Sequence, residues 1–188
     1  SYGGGGPLHT AGYVKGLGFQ EVLVPGWAAG FSAFGCGAAD FEYRYDKTLD
    51  ISVDPDKGED EATIMKAGKM LQTAWDELKD SVADEFEKSD YSRKDVRFHL
   101  LYRMQFQGQV NDIEVEAPIK EFKSVEDWNL LIQTFEEQYA RVYAKSALSP
   151  ELGYAITGAI VRGVVEVPKP AIPEEPISGE TPPEEAFL

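Results

Sequence analysis

The sequence predicts an α+β fold: an antiparallel sheet carrying two helices on one face, in the order strand, helix, strand, strand, helix, strand. Three observations carry that prediction. Residues 41–53 and 96–106 alternate apolar and polar side chains, the period of a strand with one wet face. Residues 60–88 and 124–143 repeat apolar side chains every three or four positions, the period of a helix with one buried stripe. Residues 154–167 are apolar at both parities, as expected of a strand in the middle of a sheet.

Residues 1–40 precede this domain and read differently. Gly3, Gly4, Gly5 and Gly6 remove four successive Cβ atoms, so the backbone can adopt positive φ and admit a close neighbour. Pro7 suits the first position of a helix, and Leu8, Ala11, Val14 and Leu17 continue at helical spacing until Gly16 and Gly18 stop it. Glu21-Val22-Leu23-Val24 reads as a short buried strand ended by Pro25-Gly26. A glycine loop at a helix start offers free N–H groups and a positive dipole end, which suits an anion. The run has neither the Lys-Ser/Thr pair of a P-loop nor Gly-x-Gly-x-x-Gly spacing. On the residues alone the favoured reading is a tight turn before a packed helix.

From Asp40 onward each element has its own signal. Phe41, Tyr43, Tyr45, Leu49, Ile51 and Val53 share one face, with Lys47 the single charge among them and a candidate bend or bulge. Asp54-Pro55-Asp56-Lys57-Gly58 is a turn. Ile64, Ala67, Leu71, Ala74, Trp75, Leu78, Val82 and Phe86 form the stripe of a long helix, with Glu59, Asp60 and Glu61 where its dipole favours acids. The strand 96–106 runs through Gly108 into Ile113, Val115 and Ala117, which predicts a hairpin. Its wet face places Arg97 and Arg103 opposite Glu114 and Glu116. Ser124 is an N-cap, and Trp128, Leu131, Ile132, Phe135, Tyr139, Val142 and Tyr143 come after it as one stripe. Residues 168–188 hold six prolines and five glutamates and form a tail that cannot bury a core of its own. It reads as a disordered end, or as a strap on a neighbour anchored by Phe187 and Leu188. The expected organisation is 1–40, 41–167 and 168–188.

Charge removes two function classes. A net charge of −15, from 33 acids against 18 bases, repels nucleic acid and anionic membrane alike. No stretch approaches the ~18 apolar residues of a membrane span. One cysteine builds no internal disulfide and fits a reducing cytoplasm.

Little else spells chemistry. Gly30-Phe31-Ser32-Ala33-Phe34 approaches a nucleophile elbow, but Phe34 occupies its second glycine position. Cys36 has no adjacent base and reads as a small buried thiol. His9 and His99 are about ninety residues apart and one cysteine completes no zinc site, so no metal ligand set is assigned. His99 falls on the face opposite the aromatic one and reads as a salt-bridging or capping side chain on the sheet surface rather than a catalytic one. His9 adjoins the glycine run.

A resemblance supplements these readings. Tyr2-Gly3-Gly4-Gly5-Gly6-Pro7-Leu8-His9, with Val24-Pro25 and Gly30-Phe31-Ser32-Ala33-Phe34-Gly35 after it, closely resembles the end of the catalytic core in the hydantoinase A/oxoprolinase family. Gly26-Trp27-Ala28-Ala29-Gly30 looks most like that family's acetone carboxylase branch, and Tyr102-Arg103 with Gly108-Gln109 resembles its Arg-Tyr-x-Gly-Gln strand. The resemblance implies that residues 1–40 are the C-terminal remnant of an actin/Hsp70-like ATPase lobe. Gly3, Gly4, Gly5 and Gly6 would lie against the adenosine of ATP, with His9 close to the nucleotide. The phosphate loops and metal-holding acids would lie upstream, so the chain is expected to be the C-terminal piece of a longer subunit, inactive and self-associating by itself. The full enzyme would use ATP and bicarbonate to carboxylate a ketone, in a hetero-oligomer with a hydantoinase B-like subunit and a small third one. An ATP-dependent hydantoinase or 5-oxoprolinase subunit is the alternative within the family. A non-catalytic assembly module is the alternative outside it. An exposed glycine turn rimming an open half-cleft favours the nucleotide reading, and a turn buried under the α+β domain favours the assembly module.

Overall fold

The computed structural model describes residues 1–53 and 60–171, so the turn expected at Asp54–Gly58 and most of the Pro/Glu-rich tail lie outside the described residues. The chain divides into two compact units, Ser1–Ala39 with Val167–Leu188, and Asp40–Glu166.

The smaller unit holds helices α1 (Gly5–Val14) and α2 (Phe31–Ala38), the latter entered through a short 3-10 turn, Ala28–Gly30. Two expectations change here. The helix begins at Gly5, so the free glycine run is only Gly3 and Gly4, and Pro7 is the third helical residue rather than the first. Proline is tolerated there because the first four N–H groups of a helix have no acceptor within it. The stretch Glu21–Val24 is not a strand, and Val22, Leu23 and Val24 are exposed. A short apolar run needs a neighbouring strand to pair with, and the described residues of this unit contain none. Leu17 lies beyond α1, in a turn whose N–H donates to the Val14 carbonyl. Lys169 reaches the carbonyl of Ala38, at the end of α2.

The larger unit runs β1 (Phe41–Val53), α3 (Glu61–Lys88), β2 (Arg97–Phe106), β3 (Ile113–Glu116), α4 (Val125–Tyr143), β4 (Tyr154–Val165). The sheet order is β1-β4-β2-β3, with every neighbouring pair antiparallel. Strands β1 and β2 are therefore parallel to each other with β4 between them, and β3 and β4 are parallel with β2 between. Each helix crosses a gap filled by a third strand, so two split βαβ units interlock.

Both helices cover the same sheet face. Tyr102 donates its hydroxyl to the Leu131 carbonyl of α4, and its register partners on β4 lead to Gly163, which faces Val82 and Phe86 of α3. Trp75 of α3 donates its indole N–H to the Leu101 carbonyl of β2 at 2.8 Å. Around these anchors Leu71, Trp75, Phe86, Tyr102, Met104, Phe106, Trp128, Leu131 and Phe135 are fully buried. The Phe106 ring lies 5.1 Å from Phe135, 5.0 Å from Tyr139 and 5.6 Å from Tyr154, spacings of favourable aromatic pairs. The last turn of α4 departs from its expected stripe, since Val142 and Tyr143 are exposed.

Caps define the helix starts. The carboxylate of Asp60 accepts from the Thr63 N–H at 2.9 Å, and Asp127 reaches back to the N–H of Ser124 at 3.0 Å.

Strand β4 is central, and its doubly apolar pattern has a second cause. The registers with β1 and β2 both shift across Thr157. Tyr154 and Ile156 face the helices before the shift, and Ala159, Val161, Gly163 and Val165 face them after it. A bulge of one residue flips the parity of the residues beyond it. Only Ile160 supplies a fully buried apolar side chain on the other face of β4, paired there with Leu101.

That outer face is a lattice of charges. Arg44 binds Glu114 through two hydrogen bonds, His99 Nδ1 lies 2.7 Å from Glu116, Arg97 meets Glu166 at 2.5 Å, and Arg103 sits 3.8 Å from Asp46. The expected pairing of Arg97 and Arg103 with Glu114 and Glu116 is thus replaced. Arg103 and Glu114 are in register, but the bidentate partner of Glu114 comes from β1. Lys47, the charge on the helix-facing side of β1, pairs with Glu77 of α3.

Candidate functional site

The smaller unit brings its two glycine-bearing motifs together. Gly3 has φ +89, in the left-handed region open to glycine, and its N–H donates to the Ala28 carbonyl at 2.7 Å. This bond joins the start of the glycine run to the turn that leads into α2. Thr10, the buried polar residue of α1, donates its hydroxyl to the Gly6 carbonyl at 2.7 Å and fixes the first helical turn from below. The rings of Tyr2, Trp27, Phe31 and Phe34 pack around the junction, with Tyr2 5.2 Å from Phe31 and Trp27 4.6 Å from Phe34. Sequence reading missed this cluster, although the spacing of Trp27, Phe31 and Phe34 is a helical one.

The glycines themselves are open. A Cβ built on Gly3, Gly4 or Gly5 meets nothing within 4 Å, and one on Gly6 meets only the Ser1 hydroxyl at 3.2 Å. Local packing therefore does not require four glycines here. Gly4 precedes α1 without any side-chain cap, so the N–H groups of Gly5 and Gly6 are donors that no cap engages. The arrangement is a bare backbone surface at a helix start, onto which a flat or anionic group can settle directly. His9 is exposed, one turn beyond Gly5 on the same side of α1, and its ring lies 6.2 Å from that of Tyr13.

The other candidates separate. Ser32 lies in the first turn of α2 and is exposed. Cys36 is exposed, against the expectation of a buried thiol, because α2 buries no residue of its own. His99 is on the outer sheet face, its Nδ1 within hydrogen-bond distance of the Glu116 carboxylate. Among the described residues no group of three His, Cys, Asp or Glu side chains is placed to hold a metal ion. No described helix is long and apolar enough to cross a membrane.

Comparison with known proteins matches two family models. One described as hydantoinase/oxoprolinase C-terminal domain covers residues 58–188, and one described as hydantoinase/oxoprolinase covers residues 1–45. The acetone carboxylase beta subunit of Xanthobacter autotrophicus is 55% identical over all 188 residues, which correspond to 26% of that protein. A nucleotide-free structure of acetone carboxylase superposes with a TM-score of 0.88 over 98% of this chain and 26% of its own, at 55% identity. The ATP-dependent caprolactamase of Pseudomonas jessenii superposes at a TM-score of 0.63 over 97% of this chain and 25% of its own. At 18% identity that likeness is one of fold alone. The chain thus spans about a quarter of the length of the relatives it matches.

Proposed function

The chain belongs to the hydantoinase/oxoprolinase family, and from that membership we propose that it is the C-terminal part of an ATP-dependent ketone carboxylase subunit of the acetone carboxylase type. The observation that carries this reading is the open glycine surface at the start of α1, in a chain 55% identical to an acetone carboxylase subunit. In this reading the smaller unit is the end of an actin/Hsp70-like ATPase lobe. Gly3, Gly4, Gly5 and Gly6 let the adenosine of ATP approach the backbone, and His9 stands beside the nucleotide. ATP, when bound to the full subunit, supplies the phosphoryl group that activates the ketone and bicarbonate. The residues of this chain bind and orient, and no catalytic acid or base is assigned to it.

The full subunit works in the cytoplasm with other carboxylase subunits, among them a hydantoinase B-like one. The names of the relatives as subunits support the assembly, and the open position of Gly3–Gly5 supports nucleotide contact over a vestigial turn. The test is ATP binding by the full-length subunit carrying Gly5→Val. A Cβ at Gly5 meets no neighbour within 4 Å, so the fold has room for the added branch while the approach to the backbone closes. The expected result is at least about tenfold weaker ATP binding, roughly 1.4 kcal/mol, with an unchanged melting curve. Unchanged affinity would remove the glycine turn from the nucleotide site.

A further inference from the structure

Where β1 and α3 meet, the larger unit leaves a groove of about 650 Å³, lined by Lys47 and Leu49 from the strand and by Met65, Lys66, Lys69 and Met70 from the helix. We infer that this groove receives an acidic segment bearing an apolar side chain, contributed by another subunit of the assembly.

Charge gives the first reason. In a chain of net charge −15 about half of the described cations are engaged in ion pairs, among them Arg44 with Glu114, Lys79 with Asp76, Lys88 with Glu85, Arg93 with Asp80, Arg97 with Glu166 and Lys123 with Glu121. Lys66 and Lys69 are exposed, one turn apart on α3, and neither forms an ion pair among the described residues. Lys47 completes the positive rim while it contacts Glu77. Two unpaired ammonium groups beside an apolar floor select a carboxylate-bearing ligand, against the general acidity of the surface.

The floor gives the second. Met70 is 44% exposed, and Leu49 and Met65 are half-buried and continuous with the core. Methionine adapts its shape to the group that packs on it, and the volume falls in the range that accepts large side chains.

The strand edge selects a polypeptide over a small anion. β1 is an outer strand of the sheet, and among the described residues its far edge pairs with no strand. Its free N–H and C=O groups run past Lys47 and Leu49, so a neighbouring backbone finds donors and acceptors beside the groove.

The inference rests on the proposal that the full subunit works in a hetero-oligomer, and the experiment separates the two. The full-length subunit is first assembled with its partners. Failure of the unaltered subunits to assemble would overturn the hetero-oligomer and this inference with it. In the purified assembly a zero-length carboxyl-to-amine cross-linker, read by mass spectrometry, is expected to join Lys66 or Lys69 to an Asp or Glu of another chain. The double substitution Lys66→Glu, Lys69→Glu is expected to raise the dissociation constant of the assembly at least tenfold and to flatten its salt dependence. ATP binding and the circular dichroism of the subunit stay unchanged. The milder pair Lys66→Gln, Lys69→Gln should show the same loss in smaller measure. The inference is overturned if the assembly forms normally with both pairs, if cross-links reach only acids of the same chain, or if both lysines label equally in the free and the assembled subunit.

Discussion

Gly163 is a residue whose identity is set by its neighbours. A Cβ there would lie 2.4 Å from Val82, 2.9 Å from Val96 and 3.0 Å from Phe86. Two of these side chains are fully buried and Val96 is buried as well, so the crowding has nowhere to relax. Gly163→Ala is therefore expected to cost about 1–3 kcal/mol in urea unfolding, the usual range for overpacking. Asp60 makes a second claim at this scale. Its carboxyl accepts from the backbone and hydroxyl of Thr63, and both bonds hold its pKa below the usual carboxylate range. A depressed folded pKa gives stability that is present above the unfolded value near 3.9 and is lost as pH falls through the folded value. Asparagine caps a helix without titrating. Stability of the chain relative to its Asp60→Asn variant should be constant above about pH 5 and should decline below about pH 4. A difference that stays flat to low pH would show that the carboxylate charge contributes nothing. Residues were the least legible scale in the sequence. The exposure of Cys36 depends on how little α2 buries, and the partner of Glu114 depends on how the sheet brings β1 toward β3. Neither is a local property.

At the scale of elements the sequence was more informative, because period reports burial directly. The stripe from Ala67 to Phe86 is the buried face of α3, and that from Trp128 to Tyr139 is the buried face of α4. The reading failed where period is ambiguous. Val22–Val24 is apolar but finds no strand to pair with among the described residues of its unit, and the pattern of β4 comes partly from the shift at Thr157 rather than from two buried faces. Pro7 misplaced the start of α1 because a proline fits anywhere in the first turn. A few polar ties supplement the apolar packing between elements. Trp75 links α3 to β2, and Trp75→Phe removes a buried hydrogen bond to the Leu101 carbonyl. We expect a loss of about 1–3 kcal/mol in thermal or urea unfolding. No loss would mean that packing alone docks α3. Tyr102 links β2 to α4 in the same way, and burial pushes its phenol well above the usual range, so it remains a donor wherever the protein is folded.

At the scale of the molecule, the four-stranded antiparallel sheet and the family were legible, the first from alternation and the second from the glycine-run and Trp-Ala-Ala-Gly motifs. The candidate site was legible only as a motif. Its physical basis, an uncapped helix start with room above three of its glycines, required coordinates. In the proposed reading nucleotide contact belongs to the smaller unit and subunit contact to the larger one, so the Gly5→Val and the lysine variants should fail in different assays. The decisive measurement is ATP consumption by the full-length subunit with its partners, given bicarbonate and acetone, hydantoin or 5-oxoproline. A ketone carboxylase is expected to use ATP only when both ketone and bicarbonate are present, and to yield a carboxylated product. ATP use driven only by the cyclic amides would contradict that assignment and move the chain to the hydrolase branch of the family. No ATP use with any of them would leave the glycine turn without a nucleotide and the chain as an assembly module.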